Sequence, residues 1–101
     1  MVAYSIPMNT ITNDKLKKYF QVTKEAYKMA KTSGNKYPEF YKEREDFLDM
    51  IDRYIKDAEH FEKKGEIVDA FAALNYAHGW LDAGARLGLF DVHDSKLFTV
   101  D

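Results

Sequence analysis

The sequence predicts an all-α protein, a three-helix up-down-up antiparallel bundle with an extended C-terminal tail. Three observations carry that prediction. Apolar residues recur at three- and four-residue spacing in three separate segments, the period that gathers side chains on one face of a helix. Helix-ending residues, Gly34 with Asn35, then Gly65, then Gly88, punctuate those segments. Finally, 101 residues with 46% hydrophobic content and 15% aromatics can fill one compact core, so a single domain over residues 1–101 is expected.

The first helix is expected over about 12–33. Thr12 or Asn13 caps it, because a short oxygen-bearing side chain satisfies the first free backbone amides. Leu16, Tyr19, Phe20, Thr23, Ala26, Tyr27 and Ala30 share one face, and the lysines take the other. The second helix is expected over 38–64. Pro38 suits a first turn, where its missing amide hydrogen has no partner to lose. Phe40, Phe47, Tyr54 and Phe61 repeat every seven residues, with Ile51, Ile55 and Ala58 among them, a face broad enough to touch two other helices. Asp49 with Arg53, Asp52 with Lys56 and Glu59 with Lys63 are acid-before-base pairs four apart on the opposite face.

Gly65 makes a short turn, which forces an antiparallel third helix over 66–87. Ile67, Ala70, Ala73, Leu74, Ala77, Leu81, Gly84 and Gly88 fall on one side of it, and most are small. Such a seam lets helix axes approach closely, with aromatics from the second helix filling the space. The tail, 89–101, has too few periodic positions for a helix, but Leu89, Phe90, Leu97, Phe98 and Val100 are apolar enough to pack.

Charge and composition narrow the function. The net charge of −2 conceals an asymmetry: seven lysines against Asp14 and Glu25 over residues 12–36, and a balance of −7 over residues 37–101. Such a division steers a partner or lets a basic helix lie beside an acidic one. Without cysteine there are no disulfides, thiolate metal sites or cysteine nucleophiles, which suits a reducing interior. The start MVAYSIPMNTIT lacks the pattern of a signal peptide, and no segment has the apolar length of a membrane span. A soluble, cytoplasmic protein with no membrane partner is expected.

The stretch NYAHGWLDAGARLG concentrates the chemistry. Asn75, His78, Asp82 and Arg86 form a polar stripe, spaced three, four and four. As a site, His78 is a general base oriented by Asp82, with Arg86 holding an anion. As structure, Asp82 pairs with both neighbours one helical turn away and ties the helix surface together, which is the simpler reading. Trp80, the sole tryptophan, reads as a core or interface anchor.

The run YIKDAEHFEKKGEIVDAFAALNYAHGWLDAGARLGLFDV, Tyr54 to Val92, followed by LFTVD, resembles the archaeal family called domain of unknown function 357. The resemblance is strong over the second half of the chain and rests on pattern in the first two helices. It implies a small all-helical bundle from an archaeal cytoplasm, and carries no activity, cofactor or catalytic residue.

Other motifs are weaker. Asp57 and His60 make one acid-x-x-His step, whereas di-iron bundles need two and further carboxylates, so no metal or cofactor is expected. Helical nucleases of the HEPN type use an arginine, a short spacer and a histidine; Arg86 to His93 and Arg53 to His60 each leave six residues between, and Gly88 should break the first pair apart. Lys17, Lys24, Lys28 and Lys31 form one stripe that could follow phosphates, but the pI near 5.9 and the lack of interleaved aromatics favour a solvated face. The expectation is therefore a non-enzymatic protein-interaction module, with self-association among its contacts. The alternatives are an RNA-directed protein, as lysine-stripe binder or HEPN-like ribonuclease, and a small-ligand site around Asn75, His78 and Asp82.

Overall fold

The structure is a computed structural model that describes residues 10–99. Residues 1–9, on which the expectation of no signal peptide rests, and Val100 of the tail lie outside them. Helix α1 spans Asn13–Thr32, a single 3-10 turn Pro38–Phe40 leads into α2, Tyr41–Lys63, and α3 spans Ile67–Leu87. The three pack as an antiparallel bundle, α3 against both others, and no strand occurs among the described residues.

Each boundary has a local cause. Thr12 caps α1, its side-chain oxygen accepting from the Lys15 amide at 3.1 Å. Gly65 and Gly88, at φ 77° and 81°, end α2 and α3 in the left-handed conformation that glycine adopts without strain. Both ends then close alike. The Glu66 amide donates to the Phe61 carbonyl at 2.9 Å, and the Leu89 amide to that of Gly84 at 2.9 Å, satisfying carbonyls that the helix leaves unpaired.

Two apolar clusters fill the interior. One joins Leu16 and Phe20 of α1 with Ala58 of α2 and Ala70, Ala73 and Leu74 of α3. The other joins Ala26, Ala30, Ile51, Ile55, Ala77 and Leu81 with Leu89, Phe90, Val92 and Phe98 of the tail. The tail is irregular chain with a turn in which the Asp94 carbonyl accepts from the Leu97 and Phe98 amides. Its apolar residues complete the core beside Ala26 and Ala30 of α1 and Ala77 and Leu81 of α3.

Two features of the packing differ from expectation. The aromatic heptad of α2 is not the centre of its buried face: Ile51, Ile55 and Ala58 are buried, Phe47, Tyr54 and Phe61 are half-buried at its border, and Phe40 is 47% exposed. Branched and small side chains let α1 and α3 approach α2 from both sides, which displaces the larger rings to the edge. The space at Gly84 is filled by the tail, not by α2: a Cβ there would press inside contact distance of the Phe90 ring.

Arg44 of α2 holds this end together. Its side chain is only 11% exposed. One nitrogen donates to the Leu89 carbonyl at 2.8 Å, the other to the carbonyls of Ala30, Lys31 and Ser33 at 3.2, 3.1 and 3.0 Å. The guanidinium lies 5.6 Å from the Phe90 ring centroid. A cation at the C-terminus of α1 also meets the negative end of that helix dipole. Beside it, the Asp91 amide donates to the Gly34 carbonyl and the Lys36 amide to that of Gly88, both at 2.9 Å, so the first interhelical loop is laced to the chain leaving α3.

Candidate functional site

The polar stripe of α3 divides. Asn75, His78 and Asp82 line a cleft of about 420 Å³ between α1 and α3, with Tyr19, Val22 and Thr23 opposite and Lys96 of the tail among its walls. Arg86 is exposed and outside it. His78 Nε2 and Asp82 Oδ1 are 3.9 Å apart, a separation that permits attraction but not a hydrogen bond. The same Oδ1 accepts the Thr99 amide at 2.9 Å. Asp82 therefore anchors the tail to α3, and the expected tie between Asp82 and Arg86 does not form, because the carboxylate turns towards the chain that folds back over the helix.

The lysine stripe also divides. Lys24 Nζ donates to Glu59 Oε2 at 2.8 Å, joining α1 to α2, and lies 5.4 Å from the Phe20 ring; Lys31 sits 4.7 Å from that of Tyr27. Lys17 and Lys28 face solvent. Glu59 is thereby drawn away from the expected partner Lys63, while Arg53 with Asp49 and Lys56 with Asp52 pair along α2 at 3.0 and 2.9 Å. One ion pair, Lys24 with Glu59, links basic α1 to α2, and the other lysines of α1 are exposed.

The two arginine–histidine pairs are placed differently. Gly88 ends α3 between Arg86 and His93, and His93 bonds Asp91 at 3.0 Å in the tail. Arg53 is engaged by Asp49 one turn back, and it shares the exposed surface of α2 with His60. Among the described residues no group of three or more His, Cys, Asp or Glu is placed to hold a metal ion, and no helix is long and apolar enough to cross a membrane.

The most developed surface is one that the motifs did not indicate. On the side of the α2/α3 pair away from α1, Phe47 meets Trp80 edge-on at 4.8 Å and Tyr54 stacks on Tyr76 at 5.4 Å. Tyr76 and Leu87 are 63% and 59% exposed. Three clefts follow the seam, of about 220, 360 and 230 Å³. The first two share Phe47 and the last two share Tyr76, so they lie in a row, an outer trough of three separate clefts, from Phe40 and Leu87 to Phe61 and Ala72. At 1.5 Å per residue it runs about 30 Å along α2. The heptad of α2 and the lone tryptophan were the signals for it. What they could not show is that the rings would sit at the edge of the bundle.

The Cα envelope measures 57 × 29 × 15 Å. α1 packs against the α2/α3 pair, whereas Tyr76 and Leu87 on the outer side of the pair are 63% and 59% exposed.

A family model described as protein of unknown function (DUF357) matches residues 18–90, from within α1 to the first core residues of the tail. No curated protein and no solved structure matches the chain. With most of its length covered by that model, the chain belongs to the DUF357 family.

Proposed function

We propose that this protein is a non-enzymatic helical module that acts through protein contacts, and that the outer α2/α3 face is its contact surface. A single observation carries the reading: the row of aromatic clefts built on Phe47, Tyr54, Tyr76 and Trp80 lies on the side of the α2/α3 pair away from α1, where burial would reward a partner. Contact surfaces favour tyrosine and tryptophan for this reason, since they bury much area with few rotatable bonds. The cytoplasm is the proposed setting, on the cysteine-free composition, and an archaeal one on the family resemblance. Against an RNA-directed role stand the pairing of Lys24 within the fold, the helix end between Arg86 and His93, and the pairing of Arg53 with Asp49.

The test is affinity capture from native extract with nuclease-treated and untreated arms, comparing the parent with a Tyr76→Asp/Leu87→Asp variant. Both side chains are largely exposed, so the fold tolerates the change. The expected result is a protein partner retained after nuclease treatment and lost in the variant. Retention that disappears with nuclease and is indifferent to the variant would replace this reading with the RNA-directed one.

A further inference from the structure

We propose that the outer trough receives a basic amphipathic helix from a partner protein, an inference that rests on reading this face as the contact surface. Shape argues for a helix. The three clefts follow one another along α2 from Phe40 to Phe61, a span of about 30 Å that matches roughly 20 helical residues. Along its α3 side Ala72, Gly79 and Ala83 are exposed and small, and a Cβ at Gly79 would meet no atom within 4 Å. A helix axis can therefore come close between the rings of Tyr76 and Trp80.

Charge argues for a basic one. Glu43 lines the cleft at one end, and Asp57 and Asp69 line the cleft at the other; no lysine or arginine lines any of the three. The cleft between them is lined by apolar and aromatic residues and Asn75. The fold already contains the matching arrangement on its inner side, where lysine-bearing α1 lays its apolar face on the α2/α3 pair and Lys24 reaches Glu59 of α2. The outer side presents the same combination of apolar floor and acidic rim to solvent. A partner that mimics α1 would complete a four-helix arrangement, its lysines or arginines meeting Glu43, Asp57 and Asp69. A second copy of the same face would set like-charged rims against each other, which counts against self-pairing here.

The experiment uses the full chain and two synthetic amphipathic helices of about 20 residues, one of leucine and lysine, the other of leucine and glutamate. Neither contains tryptophan, so Trp80, the protein's only one, reports occupancy of the trough by its fluorescence. The expected result is saturable binding of the lysine peptide, weakened by salt, with the glutamate peptide at least roughly tenfold weaker. The variant Glu43→Lys/Asp57→Lys/Asp69→Lys should invert that preference, while Asp14→Lys/Glu25→Lys/Glu62→Lys, exposed positions away from the trough, should keep it. Circular dichroism establishes that both variants are folded. Equal binding of the two peptides, abolished by Tyr76→Asp, would overturn the basic-helix proposal and leave the face as a contact surface. Lysine-peptide binding that is silent at Trp80 and indifferent to Tyr76→Asp and to both triple variants would overturn the proposal and the contact face together.

Discussion

Arg44 donates to the carbonyl of Leu89 across 2.8 Å, which fastens the second helix to the residue that follows the end of the third. The same guanidinium serves three carbonyls at the end of α1. Arg44→Met should keep the bulk and leave those acceptors unpaired, lowering stability by about 2–4 kcal/mol. Arg44→Lys should recover little, since a single ammonium cannot reproduce the planar fork. Urea denaturation measures both, and a loss below about 0.5 kcal/mol for either would show that Arg44 is a surface charge.

Gly84 and Gly79 lie on the same helix and should respond oppositely to one methyl group. At Gly84 the new carbon meets the buried Phe90 ring, so Gly84→Ala should cost about 1–3 kcal/mol as the tail shifts. At Gly79 it enters open space on an exposed helix, so Gly79→Ala should stabilise by about 0.5–1 kcal/mol. Thermal or urea unfolding of the two variants is the check. A neutral or stabilising Gly84→Ala would contradict the placement of Phe90, and a destabilising Gly79→Ala the open space at Gly79.

How far the sequence could be read is shown by these same residues. Periodicity and glycine positions locate the helices because both express local backbone geometry, and the boundaries agree to within a few residues. Arg44 was invisible because it sits between Glu43 and Glu45 in a charged run, where nothing local distinguishes a clasp from a solvated side chain. Gly84 was recognised as a place of close approach, but which element approaches depends on how the tail returns. Asp82 illustrates the limit at the candidate site: a four-residue spacing to His78 and Arg86 is compatible with a helix-surface tie, and only tertiary structure brings the Thr99 amide to the carboxylate. The trough needed knowledge of which side α1 covers.

Asp82→Ala should release the tail, because the Thr99 amide loses its charged acceptor, at a cost of about 0.5–1.5 kcal/mol. Asp82→Asn should cost less, its amide oxygen still able to accept. Hydrogen exchange at the Thr99 amide reads the effect locally: faster in Asp82→Ala, intermediate in Asp82→Asn. Exchange unchanged in Asp82→Ala would remove the anchoring role.

Alkaline pH should weaken the fold partly through Tyr27. Burial, then the nearby Asp52 carboxylate, raise its hydroxyl above the ordinary tyrosine range. A folded-state pKa above the unfolded one means stability fully present below the unfolded value and lost as pH rises through the folded one. Lys56, raised chiefly by its hydrogen bond and charge pairing with Asp52 and also by Tyr27, falls away in the same direction. Tyr27→Phe should therefore flatten the decline in melting temperature above about pH 10. Superimposable profiles for parent and variant would contradict it.

That the outer α2/α3 face, and neither the polar cleft nor the lysine stripe, is where this protein meets its partner is tested most directly by site-specific photo-cross-linking in native extract. A photoreactive residue replaces Tyr76, His78 or Lys17 in turn, one on each surface. The predicted result is a discrete protein adduct from position 76, resistant to nuclease, suppressed by excess leucine–lysine peptide and absent from positions 78 and 17. An adduct formed from position 78 or 17 and not from 76 would contradict the assignment.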